Sequence, residues 1–112
     1  MPPGRRRRQL VAAYALGVSA YVIVEVDVID PEQYARYGQS VPATLEAHGG
    51  RFLARGGETA TLEGDWQPKR IVVLEFDDLE AAKRWYDSPE YLRSREIRAG
   101  AATMRMIAVA GV

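Results

Sequence analysis

At 112 residues the chain has the size of one domain, so a single hydrophobic core must carry the fold. Hydrophobic residues make up 47% and charged residues 27%, which excludes a wholly disordered chain. Lys plus Arg balance Asp plus Glu at 15 each, and Arg5, Arg6, Arg7 and Arg8 supply four of the 15 positive charges. Without these four the remainder holds 11 basic against 15 acidic residues, the wrong sign for a generic nucleic-acid binder.

There is no cysteine, which excludes disulfides, thiolate nucleophiles and sulfur-held metals, and His48 is the only histidine. Neither a zinc site nor a Ser-His-Asp triad finds its remaining partners in a recognisable motif, so no metal and no cofactor are expected. Arg5 to Arg8 followed by the apolar run Leu10 to Val18 looks superficially like a secretory signal. Ala13, Ala15 and Gly17 dilute that run, and nothing in the chain is long and apolar enough to span a bilayer. The reading favoured is an Arg-rich extension over residues 1–19, or an early start, ahead of a cytoplasmic domain over residues 20–112 with no membrane partner.

The domain opens on Tyr21-Val-Ile-Val-Glu-Val-Asp-Val28, in which Val22, Val24, Val26 and Val28 share one face and Tyr21, Ile23, Glu25 and Asp27 the other. That is a strand with two different faces. Asp30-Pro31-Glu32-Gln33 supplies an N-cap, a proline at the first helical position and a capping-box partner. Tyr34, Tyr37, Val41, Leu45 and His48 continue at helical spacing, with a kink expected about one turn before Pro42, and Gly49-Gly50 ends the helix.

Arg51 to Arg55 reads as a second strand, with a bulge or a close backbone approach at Gly56-Gly57 and an extended continuation over Glu58 to Leu62. Gly64 to Pro68 is dense in turn formers, and Arg70 to Phe76 is the clearest buried strand. Asp77 and Glu80 have capping-box spacing for a helix carrying Leu79, Ala82, Trp85 and Tyr86. Asp87-Ser88-Pro89-Glu90 breaks it and caps a fresh helix to about Arg98, and Thr103 to Ala110 reads as the fourth strand.

This order is an α+β, ferredoxin-like β-α-β-β-α-β arrangement with a four-stranded antiparallel sheet. Right-handed crossovers place strands one and three at its centre and both helices on one face. The other face is too apolar to be left to water, which predicts a homodimer closing into a two-fold α/β barrel.

The blocks Ala20 to Ile23, Asp30 to Tyr34, His48 to Gly57, Glu63 to Trp66, Ile71 to Phe76 and Trp85 to Tyr91 together resemble the family called domain of unknown function 1330. The resemblance covers about residues 20 to 110, and six motifs in the right order make it specific. It implies the dimeric α/β-barrel superfamily, whose other branches include cofactor-free monooxygenases, haem-handling enzymes, lactone isomerases and dehydratases. For this branch it names no reaction.

Strand parity selects candidate site residues. Glu25 and Glu75 point to the open face, and a regular second strand would bring Arg55 there too, so that Glu25, Glu75 and Arg55 could converge as an acid/base or anion-holding site or as a structural ion pair. His48 sits in the last helical turn, where the helix dipole favours a positive imidazole, and is the side chain best matched to proton transfer near neutral pH. Trp66, Trp85 and Tyr91 suit a small-molecule pocket or the core. Arg95 belongs to a basic edge of the last helix that could catch an anion or simply face solvent. Three functions fit: a dimeric domain binding a small organic molecule between sheet and helices, closed by Trp66 and the Trp85-to-Tyr91 segment; a cofactor-independent monooxygenase or isomerase using His48, Glu25 or Glu75; and a structural or regulatory dimer module without ligand.

Overall fold

The computed structural model describes residues 18–112; the Arg-rich segment falls outside them. The order is β1 (Ala20–Val28), α1 (Pro31–Ala47), β2 (Arg51–Arg55), β3 (Arg70–Phe76), α2 (Leu79–Asp87), α3 (Pro89–Arg98) and β4 (Ala102–Ala110). The strands form one antiparallel sheet in the order β2-β3-β1-β4, so β1 and β3 are central. This is the ferredoxin-like arrangement, with the second helical segment broken in two at Ser88.

The alternation of β1 decides which face is covered. Val22, Val24 and Val26 are buried beneath the helices with Val72, Leu74 and Phe76 of β3, while Tyr37, Val41 and Leu45 of α1 close over them. Burying a large apolar side chain contributes roughly 1.5–3 kcal/mol, so this stripe is a main source of stability. Trp85 and Tyr91 pack beside it, their ring centroids 4.0 Å apart, and Phe76 packs on Trp85 at 5.3 Å. The Trp85 indole N–H donates to Thr44 Oγ1 at 3.0 Å, which removes the cost of burying a polar ring atom.

Each helix begins on a side-chain cap. Asp30 Oδ1 accepts from the Gln33 amide at 3.1 Å and Pro31 occupies the first turn of α1. Ser88 Oγ accepts from the Tyr91 amide at 3.2 Å, which restarts the chain as α3. The α2 cap is Asp78, whose Oδ1 accepts from the Ala81 amide at 2.7 Å, and not Asp77 as the capping-box spacing suggests. Gly50 is required by close approach: a Cβ there would meet the Phe76 ring at 2.5 Å.

Local detail departs from expectation mainly in β2 and the loop after it. The bulge in β2 lies between Phe52 and Ala54, with Leu53 as the extra residue, and of the two readings of Gly56-Gly57 the close approach holds, since a Cβ on Gly56 would run into the Arg70 guanidinium. Glu58 to Leu62 joins no strand and belongs to the loop between β2 and β3. α1 is helical through Pro42.

Candidate functional site

The β2 bulge sorts the polar side chains between two faces. Arg51 pairs with Glu75 across β3 and lies on the open face, as alternation requires. Its Nη2 is 2.7 Å from Glu75 Oε1 and its Nε donates to the same oxygen at 2.8 Å. Glu75 is 1% exposed, so this forked contact holds a buried carboxylate. The extra residue Leu53 then inverts the parity of the rest of the strand, and Arg55 opposes Val72 on the helix side. Glu25, Glu75 and Arg55 therefore do not converge. Glu25 is instead gripped by Arg105 of β4, whose Nε donates at 2.9 Å and whose Nη2 also bonds Oε1, while the Trp66 indole N–H donates to its Oε2 at 3.2 Å. These bonds, Arg105 first and Trp66 second, hold the Glu25 carboxyl below its ordinary range.

A cavity of about 40 Å³ lies between sheet and helices. Its wall includes Val24, Val26, Tyr37, Trp85, Tyr91 and Met104. It opens past Tyr34, Gly38, Arg55 and Arg70 into a wider mouth of about 540 Å³ rimmed by α1. The Tyr37 and Tyr91 hydroxyls share a hydrogen bond of 2.7 Å in the buried wall. Burial, and after it the Tyr91 phenol, pushes the Tyr37 hydroxyl far above its ordinary pKa, so at neutral pH it is a neutral donor and acceptor.

Pro42 shapes the mouth. In a regular helix the residue at position 42 donates its amide to the carbonyl of residue 38, and proline has no amide proton to give. The Gly38 carbonyl accepts instead from Arg55 Nη2 at 2.7 Å. Arg55 also lies over the Phe52 ring, 4.2 Å from its centroid. Arg70 stands beside it, 5.7 Å over the Tyr34 ring, against the backbone of Gly56, whose φ of +72° and missing Cβ leave the room its guanidinium occupies.

Of the residues singled out in the sequence, Arg55, Trp85 and Tyr91 line this cavity and the others do not. His48 caps the C-terminus of α1 with Nε2 3.5 Å from Glu90 Oε2 of α3. Trp66 is 56% exposed and covers Glu25 on the open face, so it does not close the helix-side cavity. Arg95 lies 4.2 Å over the Tyr86 ring and donates to its hydroxyl at 3.0 Å, occupied on the outer surface. Arg70, Tyr34 and Tyr37 were missed as site residues. Parity offered a signal for Arg70, which shares its face with Val72, Leu74 and Phe76 and is the one charge on that face of β3. Among the described residues no group of three or more His, Asp or Glu side chains could hold a metal ion, and no helix is long and apolar enough to cross a membrane.

The family model described as a domain of unknown function, DUF1330, matches residues 19–112. The chain belongs to that family. No functionally curated protein matches it. Among solved structures, a DUF1330 chain of this kind is similar to a protein of unknown function from Rhodopseudomonas palustris, at 21% identity and a TM-score of 0.65 over 84% of this chain and 82% of that one. It is also similar to a cofactor-independent oxygenase, SnoaB, from Streptomyces nogalater, at 14% identity and a TM-score of 0.58 over 84% and 93%. A dimeric ferredoxin-like protein of unknown function from Thermobifida fusca has 14% identity and a TM-score of 0.56 over 83% and 91%. At these identities the likeness establishes the fold.

Proposed function

We propose that this DUF1330 domain pairs with a second copy through the open face of its sheet and binds a small organic molecule at the cavity between sheet and helices, chiefly in its wider mouth. The cavity carries the ligand reading. It is apolar and aromatic inside, has a polar rim at one end only, and lies between the secondary-structure layers where small-molecule sites commonly form. Pairing is supported by the open face, where Ile23, Leu53, Ile107 and Val109 stand exposed around the Arg51–Glu75 and Arg105–Glu25 pairs, and by the dimeric Thermobifida fusca neighbour. The fold shared with the Streptomyces nogalater oxygenase keeps small-molecule chemistry within reach. Binding is the better reading, because His48, Glu25 and Glu75 lie away from the cavity and the titratable groups at it are tyrosines and arginines.

The test is an NMR titration with a neutral aromatic probe, 3-phenylpropanamide, alongside light scattering. Perturbations at the Tyr34, Pro42 and Arg70 side chains of the mouth and a mass twice the chain's 12.5 kDa are expected. Perturbations confined to Trp66 and the open face would refute the cavity assignment. A monomer that persists at micromolar concentration would refute the pairing.

A further inference from the structure

From the two guanidiniums at the cavity mouth we infer that the ligand is a carboxylic acid with an apolar body: the carboxylate is held between Arg55 and Arg70, the body lies in the mouth of about 540 Å³ along α1, and only a methyl-sized end reaches the cavity of about 40 Å³. This inference rests on the cavity being the binding site and adds the chemical class of what it takes.

The first observation is an imbalance of charge. Arg55 and Arg70 line both the cavity and its mouth, and among the described residues neither lies within ion-pair distance of a carboxylate. On the open face of the same sheet, by contrast, Arg51 and Arg105 each hold a glutamate. Two like charges sharing one opening repel each other, and the arrangement is relieved by an anion between them.

The second observation is an unused donor. Arg70 Nε is buried and has no hydrogen-bond partner, a state that costs free energy unless something supplies an acceptor. The third is preorganisation. Arg55 spends one N–H on the Gly38 carbonyl that Pro42 leaves free, which fixes the guanidinium and keeps its other donors available. Gly56, with φ of +72°, has no side chain to displace Arg70 from the rim. Planar forked guanidiniums suit a carboxylate geometrically.

The experiment compares two probes of the same shape, 3-phenylpropanoate and 3-phenylpropanamide, by calorimetry and NMR at low ionic strength. A hydrogen-bonded charge pair favours the acid by about ten- to hundredfold. Arg70→Met and Arg55→Met should each bring the affinity of the acid down toward that of the amide. Pro42→Ala, which returns an amide donor to the Gly38 carbonyl, should reduce the preference for the acid in a protein that remains folded by its NMR spectrum. Should the amide bind at the cavity mouth and the acid bind no better, the carboxylate assignment falls while the cavity reading stands. If the acid keeps its advantage in both arginine variants, the clamp is wrong. Binding of neither probe overturns the site and the ligand class together. The wild-type ratio of acid to amide is decisive even where a variant fails to fold.

Discussion

On the helix side of the sheet, Val22, Val24, Val26, Leu74 and Phe76 meet Tyr37, Val41, Leu45, Trp85 and Tyr91, and charge occurs only at the rim, on Arg55 and Arg70. The open side mixes Ile23, Ile107 and Val109 with two arginine–glutamate pairs. Both faces come from strands of similar composition. A face sealed by its own helices can be almost wholly apolar, because it never meets water. One that meets a partner during assembly gains from paired charges that set orientation and suppress wrong contacts. On the sheet itself, the arginines of the open face are paired with glutamates, and those at the rim of the sealed face are not.

The largest effect expected from breaking this contrast is in the sealed face. Trp85 is 1% exposed, contacts Phe76 and Tyr91, and hydrogen-bonds Thr44. Trp85→Ala should cost about 3–5 kcal/mol in denaturant unfolding. Ile107, 66% exposed, should show its loss in Ile107→Ala as weaker association, read by sedimentation at several concentrations. Equal losses of monomer stability from the two substitutions would erase the distinction between the faces.

Much of the sealed face was legible in the sequence. The valine alternation in β1 fixed the buried side, the Asp30-Pro31 and Ser88-Pro89 signals fixed two helix starts, and Trp85 fell on the inner side of its helix as read, whereas Tyr86, read with it, is 37% exposed. The site was less legible, for a physical reason. Arg51-Phe-Leu-Ala-Arg55 read by simple alternation puts both arginines on one face. The bulge at Leu53 is a property of how β2 pairs with β3, and no residue in that stretch announces it. Pro42 carried a readable signal, a carbonyl left without its helical donor, but the identity of the group that takes that carbonyl depends on the same bulge. Trp66 lies in a long loop between β2 and β3 whose path only tertiary contacts decide, so its aromatic ring suggested a pocket and its hydrogen bond placed it on Glu25.

An intermediate effect separates two arginines four residues apart. Arg51→Met removes the forked partner of a buried carboxylate and should cost about 1–3 kcal/mol, the other contacts of Glu75 keeping the loss within that range. Arg55→Met exposes no buried charge, but it takes the donor from the Gly38 carbonyl, and should cost less, about 0.5–1.5 kcal/mol. Denaturation midpoints of the two variants check this directly. The reverse order would mean that β2 is regular and that Arg55, not Arg51, serves Glu75.

The smallest effect is one of pH, and it tests whether the open face keeps its charges paired. Arg105 and then Trp66 lower the pKa of Glu25 from an ordinary value of 4.5. A carboxyl whose folded pKa lies below its unfolded one binds fewer protons when folded, so its stabilising contribution is complete above about pH 4.5 and is lost as the pH falls through the folded value. Wild type and Glu25→Gln should therefore differ in thermal midpoint by a constant amount between about pH 7 and pH 5, and the difference should close in more acid solution. Glu90 is also held low, first by its own backbone amide and, more weakly, by His48, so it adds an acid sensitivity of its own. That contribution is common to both proteins and cancels in the difference. Trp66 reports the same event optically: protonation weakens the acceptor of its indole N–H, and its emission, isolated by comparison with Trp66→Phe, should shift with Glu25. A midpoint difference that stays constant to low pH would show that Arg105 and Trp66 do not hold the Glu25 carboxylate in solution.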